Sequence, residues 1–324
     1  MRSPNYIILG GVSGSFAAPS GYRLVRDETA PFGISHQDFD RKIHGARTFS
    51  IGIVLEGKTS NDDDTFIVVD QGSGVEIISR FISSVILSKQ RKRVVVHNVQ
   101  THGHGDHTVG TTCNELFFDS HAVMRFHSPN LSAFRKMPET GIMMDRVIRR
   151  SFDGSDNFPV GLNMLHATQE HIEFRPGETI QLGPVKALTM AVPHPGGCVA
   201  YRFELPGGIA VVVATDLELP EEPDHAFVEF LNGARVALLE MQYDEEELKS
   251  CIGWGHSTPV RMFRALAKCR KRPPIVRSVH LDPSRDDMAV RRFHEAAALD
   301  AKGIRLHIRD FAPGKEGEVI WLPK

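Results

Sequence analysis

The sequence predicts an α/β fold built from packed layers. A series of short apolar runs carries the prediction first: each has the length of a buried strand and ends in glycine or a polar turn. Second, three longer stretches with helical spacing, 74–89, 259–271 and 286–298, interleave with those runs. Third, 324 residues with 41% apolar and 24% charged content are ordinary for a globular protein with a substantial core, as one large domain or two small ones.

The elements follow in order. Residues 6–9 form a first strand, and Gly10, Gly11 and Gly14 follow as a glycine turn. The apolar part is too short and too broken for the core of a secretion signal. Runs 51–55 and 65–69 come next, and the second leads through Asp70-Gln71-Gly72-Ser73-Gly74 into the helical pattern 74–89. The basic stretch Lys89-Gln90-Arg91-Lys92-Arg93 is a solvated turn before strand 94–97. Residues 111–180 differ in texture, with scattered Phe117, Phe118, Phe126, Phe134, Met143, Met144, Phe152, Phe158 and Met164. They read equally as a cap over a substrate site and as core for connecting elements. Strands are then expected at 185–191, 199–203, 210–214, 236–239, 275–279 and 304–308. There is no internal repeat, so a single domain over 1–324 is expected. No stretch approaches the roughly 20 apolar residues of a membrane span.

Charge and cysteine content narrow the partners. A net charge of -2 gives no global field for nucleic acid, so a small-molecule substrate is expected and nucleic acid is not. A homodimer is expected only as the commonest state of soluble enzymes. Cys113, Cys198, Cys251 and Cys269 form no CxxC pair, which suits reduced thiols in a cytoplasmic protein. Cys198 reads either as a residue lining a site or as a small buried apolar group.

The densest chemistry lies just after strand 94–97, in His102-Gly103-His104-Gly105-Asp106-His107. Three imidazoles and a carboxylate this close suit zinc, manganese or iron far better than packing does. Alternation puts His102 and His104 on one side of the chain, and Asp106 and His107 turn towards a neighbouring point. Further ligand-type residues recur at strand ends: His194 in Pro193-His194-Pro195-Gly196-Gly197, Asp216 after 210–214, and His280 after 275–279. Seven such groups suffice for two divalent metal ions with three terminal ligands each and one bridging carboxylate.

In these motifs the chain resembles the metallo-β-lactamase superfamily, whose hallmark is HxHxDH after a strand. The resemblance implies a four-layer αββα sandwich. It implies that His102, His104 and His194 hold one ion, that Asp106, His107 and His280 hold the second, and that Asp216 bridges. Asp216 stands where lactamases carry Cys or His, and His104 where flavodiiron proteins carry Glu. Within the superfamily, Gly255-His256-Ser257-Thr258-Pro259, Leu238-Leu239-Glu240 and His280-Leu281-Asp282-Pro283 resemble the ribonuclease Z-like and cyclic-phosphodiesterase branch. His256 and Glu240 match that branch's relay near the leaving group. The chain departs from it at Gln71 and in Gly45-Ala46-Arg47-Thr48-Phe49-Ser50. Only 22 residues separate His194 from Asp216, which leaves no room for the exosite arm of transfer-RNA processing relatives.

The implied activity is a phosphodiesterase acting on a small or cyclic phosphodiester through a metal-activated hydroxide. Asp106 would serve both as ligand and as acceptor of the nucleophile's proton. His256, oriented by Glu240, would protonate the departing alkoxide. The other reading of His256 is a cap for the helix beginning near Pro259. A lactone, thioester or activated xenobiotic is the alternative substrate. Tyr243, Trp254 and Ser257 are within reach of such a site. His121, His127, His166 and His171 read as surface residues.

Overall fold

The computed structural model describes residues 5–322 apart from 19–20, 27–28, 30–33, 58–63, 135–139 and 156–157. One seven-stranded sheet contains β1 (Asn5–Gly11), β4 (Ser50–Leu55), β5 (Thr65–Val69), β6 (Val94–Val99), β7 (Ala122–Pro129), β8 (Thr168–Phe174) and β16 (Val319–Leu322). Its order is β16-β1-β4-β5-β6-β7-β8, with β5 to β8 parallel. The second contains β9 (Thr179–Leu182), β10 (Val185–Val192), β11 (Cys198–Leu205), β12 (Ile209–Ala214), β13 (Val236–Glu240), β14 (Ile275–Val279) and β15 (Asp310–Pro313). These run in the order β15-β14-β13-β12-β11-β10-β9, with β12 to β15 parallel. β2 (Gly21–Arg26) and β3 (Ile34–Phe39) pair as a separate antiparallel ribbon.

Strand alternation decides the layering. In β1, Ile7 and Leu9 point between the two sheets, where they meet a core that includes Ile53, Ile67, Val199, Tyr201, Val211 and Leu238. Tyr6 and Ile8 point outward, into a layer with Ile78 and Ile82 of α1 (Val75–Ser88) and Met144 and Ile148 of α2 (Met143–Ser151). On the far side, α3 (His225–Leu231), α5 (Pro259–Lys268) and α6 (Asp287–Gly303) cover the second sheet through Phe227, Leu231, Met262, Phe263, Ala297 and Ala301. The short α4 (Glu245–Cys251) opens on a capping box built by Asp244 and Glu247. The result is the four-layer αββα sandwich.

The structure departs from the sequence reading at 304–308 and at His127. The apolar residues of 304–308 form no strand: α6 runs on to Gly303, and the last strand of the second sheet is Asp310–Pro313. Leu306 is buried beneath α6 from a loop, so its apolar character serves packing without a ladder. Much of 111–180 is sheet and outer layer, because it supplies β7, β8 and α2. Phe117, Phe126, Met144 and Phe152 are buried there, whereas Phe134 and Met164 are exposed. His127 is not a surface residue: it is buried and its Nε2 lies 3.2 Å from Nδ1 of His97.

Candidate metal centre

The site forms where parallel strands end, the usual place for function in open α/β sheets. Asp70 follows β5, the 100–107 loop follows β6, Asp216 follows β12 by two residues, Glu240 closes β13 and His280 follows β14. Asp70, Asp216 and His280 all adopt left-handed backbone conformations, with φ of 61°, 54° and 56°. Non-glycine residues hold such conformations only where the surroundings impose them, and such sites cluster at functional centres.

Two groups of ligand-type atoms result. His102, His104 and His194 bring one nitrogen each within 4.8 Å of one another, and so do Asp106, His107, Asp216 and His280 with their own donor atoms. Asp216 sits between them. Its Oδ1 lies 3.7 Å from His102 Nε2, 4.0 Å from His194 Nε2 and 3.2 Å from His280 Nε2, while Oδ2 lies 3.1 Å from His107 Nε2. All seven residues named in the sequence therefore converge. Two of their atoms, His102 Nε2 and His107 Nε2, are buried without a hydrogen-bond partner. Buried imidazole nitrogens are normally satisfied, so orphaned ones facing carboxylates fit a cation. A hard-to-intermediate divalent ion suits this His and carboxylate set.

The outer contacts fix which nitrogen each ring presents. Asp70 is fully buried and accepts from Thr101 N, Thr101 Oγ1 and His107 Nδ1, all at 2.7 Å. His280 Nδ1 donates to Gln242 Oε1 at 2.7 Å, and His194 Nδ1 to the Gly255 carbonyl at 3.0 Å. With Nδ1 engaged, Nε2 of each ring is turned inward. Two glycines allow this close fit. A Cβ on Gly14 would lie 2.3 Å from His280 Nδ1, and one on Gly255, where φ is +90°, would lie 2.1 Å from His194 Nδ1. Gln100 Nε2 donates to the carbonyls of His102 and His107, pinning both ends of the histidine loop.

Charge balance divides the two groups. Burial opposes charge on His280, yet Asp216 and Asp106 push it up to about 10. His107 is likewise raised, against burial, by Asp216, Asp106 and Asp70. Burial would raise Asp106 and Asp216, but His107 and His280 hold both well below the usual carboxylate range. By contrast, burial lowers His194 to about 4 and, together with His107, lowers His102. The first group is a set of neutral donors. In the second, the carboxylates favour positive charge at His107 and His280.

His256 and Glu240 lie beside this centre. The His256 ring stacks on His280 with centroids 4.9 Å apart. Its Nδ1 is 3.6 Å from Glu240 Oε1 and has no hydrogen-bond partner. Glu240 is fully buried and accepts from the backbone amides of Ser257, Gln242 and Leu217. The cap of α5 is Thr258, whose Oγ1 accepts from Arg261 N, so His256 does not fill that role. Ser257 is buried, with its hydroxyl on the Leu217 carbonyl, and does not reach a substrate. Cys198 packs behind His102, with Sγ 3.7 Å from Nδ1, and burial keeps its thiol neutral.

The model of a beta-lactamase superfamily domain matches residues 88–280, more than half of the chain. The chain belongs to the beta-lactamase superfamily. Solved structures agree on the fold. The metallo-beta-lactamase fold protein YhfI from Bacillus subtilis is 16% identical, with a TM-score of 0.58 over 99% of this chain and 100% of that one. Zn(2+)-bound PqqB from Methylobacterium extorquens is 14% identical, with a TM-score of 0.54 over 98% and 100%. The short form of human tRNase Z is 12% identical, with a TM-score of 0.56 over 98% and 100%. No curated protein sequence matches the chain. This superfamily fold is used mostly by metal-dependent hydrolases, and among the described residues no helix is long and apolar enough to cross a membrane.

Sequence reasoning missed the braces of this site: Asp70, Gln100, Gln242 and Ser15, whose N donates to Asp106 Oδ2 at 2.8 Å. Asp70 had a visible signal, since it ends an apolar run just as His280 does. Gln71, a departure from the branch pattern, is also explained. Its buried amide donates to Asn98 and accepts from Asn114, so it ties the floor of the histidine loop together.

Proposed function

We propose that the chain is a dinuclear metal-dependent hydrolase of small or cyclic phosphodiesters. His102, His104 and His194 would hold one divalent ion and Asp106, His107 and His280 the other, with Asp216 bridging. Zinc, manganese and iron all suit these donors. Ions held this way supply Lewis acidity and bring the ionisation of a water towards neutral pH. The chain's own residues handle protons and position. Ser15 N holds Asp106 Oδ2, which would leave Oδ1 to accept the nucleophile's proton. His256 delivers a proton to the departing oxygen, and Glu240, held by three backbone amides, orients it. In keeping with four free cysteines, we place the enzyme in the cytoplasm, acting on a small molecule.

The observation that carries this reading is His256: a buried ring stacked on His280, facing a buried carboxylate, with an unsatisfied nitrogen. An alkoxide leaving group needs a proton donor there, whereas ring opening of a lactone or release of a thiolate needs it less. The test is hydrolysis of bis(p-nitrophenyl) phosphate by protein with quantified metal. Chelator-sensitive turnover is expected. No turnover with two ions bound per chain would overturn the reading in favour of carbonyl substrates such as lactones or thioesters.

A further inference from the structure

Exposed apolar side chains sit on the loops that build the metal centre: Phe16 at 59%, Val109 at 59%, Phe134 at 48%, Ile252 at 68% and Trp254 at 60%. They come from four separate segments, and each is tied closely to the site. Phe16 follows Ser15, whose amide bonds Asp106. Val109 is two residues beyond His107. Phe134 lies against Gly197 of the His194 turn, where an added Cβ would meet its side chain at 2.9 Å. Trp254 precedes Gly255, whose carbonyl accepts from His194. Isolated exposed apolar residues are ordinary, but a group of them around one opening marks a contact surface.

Two further observations define what that surface takes. Trp254 is presented on a clamped backbone. The amides of Gly253 and Gly255 both donate to Glu218 Oε2, at 2.7 and 3.1 Å, and Trp254 N donates to the Cys251 carbonyl. A rigid loop that holds an indole in water is pre-organised for an apolar partner. Among the described residues, the segments 14–18, 102–113, 193–198 and 252–257 contain no Lys or Arg, while Arg135 and Lys136 follow Phe134 directly in the sequence. The Glu218 carboxylate held beside the Trp254 loop adds no attraction for a substrate with several phosphates.

We propose that Phe16, Val109, Phe134, Ile252 and Trp254 form a collar that selects a singly charged phosphodiester bearing an apolar alkyl or aryl group. The proposal rests on the phosphodiesterase reading above and narrows its substrate class to amphiphilic diesters.

The test uses the metal-replete full chain and a series of alkyl p-nitrophenyl phosphates from methyl to hexyl, which share one leaving group. Partial cover of the chain gives about a twofold rise in kcat/KM per methylene, so hexyl exceeds methyl by at least about tenfold. In Trp254→Ser and Phe16→Ser the hexyl-to-methyl ratio falls below about threefold. A flat series in the unaltered protein overturns the proposal, as does an unchanged ratio in both variants. A second readout needs no turnover: hexylphosphonate and methylphosphonate are titrated against Trp254 fluorescence in the Trp321→Phe background. Tighter binding of hexylphosphonate with a blue shift supports the collar even if no diester is cleaved, and in that case only the phosphodiesterase reading falls. Equal binding of both probes overturns it. A dimer in light scattering that shields Trp254 from a soluble quencher also overturns it, since the collar would then face a second copy.

Discussion

Asp70 offers the sharpest test of how the fold prepares the metal centre, because it touches neither ion position directly. Its carboxylate accepts three hydrogen bonds at 2.7 Å, one of them from His107 Nδ1, and no water reaches it. In Asp70→Asn one oxygen still accepts from Thr101, but the other position becomes an NH₂ donor. That donor faces His107 Nδ1, which favours the tautomer with its proton on Nε2, the atom that should bind metal. The charge-assisted bond lost is of the kind worth about 1.5–3 kcal/mol. That converts to roughly 10- to 150-fold weaker metal binding. The assay is competition for zinc against a chromophoric chelator, with metal counted by mass spectrometry and folding followed by circular dichroism. The expected outcome is a folded variant that retains one ion firmly and loses the other. Two ions held within twofold of the original affinity would refute the claim that Asp70 sets the His107 tautomer.

Three other outcomes follow from the same geometry. His256→Gln should lower turnover of alkyl phosphodiesters by about 10²–10⁴ with both ions retained, and a loss confined to substrates with poor leaving groups would identify the proton donor; full activity would remove His256 from the mechanism. Gly255→Ala places a methyl group against His194 at a φ of +90°, so it should cost about 1–3 kcal/mol of stability and loosen only the His102, His104 and His194 group, as read by urea unfolding and metal content. Burial lowers His294 to about 3. The unfolded chain, with an ordinary histidine near 6.5, therefore takes up this proton first, and stability is complete above about pH 6.5 and falls as pH drops towards 3. At pH 5 this ring contributes a loss of about 2 kcal/mol, so in chelated buffer His294→Gln should lose less stability between pH 7 and 5 than the unaltered chain; equal losses would contradict the assignment.

The parts of the fold that were legible in the sequence are those whose side chains face apolar surroundings on both sides. β12 is buried along its whole length and reads as a continuous apolar run, as does β5 after Thr65, whereas the equally buried β14 carries Arg277 and Ser278 at its centre. β8 was not legible, because its sequence TQEHIEF lies at a sheet edge and is largely exposed. The 304–308 run misled for the opposite reason: Leu306 is buried by α6 without belonging to a ladder. The same distinction governs the site. Metal donors are concentrated in a few loops, so spacing reveals them. Gln100 and Gln242 were hidden, since a glutamine beside a histidine loop gains meaning only when its amide is seen to hold two carbonyls or orient a ring.

What spacing could not supply is why these loops converge. Asp70, Asp216 and His280 each leave a parallel strand in a left-handed conformation. A strand continued in its own geometry would carry the side chain along the sheet axis; the left-handed residue instead turns the chain at once, so donors from both sheets face a common centre. That conformation costs about 1–3 kcal/mol at each position, and the three carboxylates Asp70, Asp106 and Asp216 crowd one buried space as well. Such a cluster calls for compensating positive charge, and its carboxylates accordingly raise His107 and His280. An ion there would supply that charge and give the unpaired His102 and His107 nitrogens a partner. The strained backbones and the charge imbalance therefore meet at the same few residues, among them Asp216 and His280.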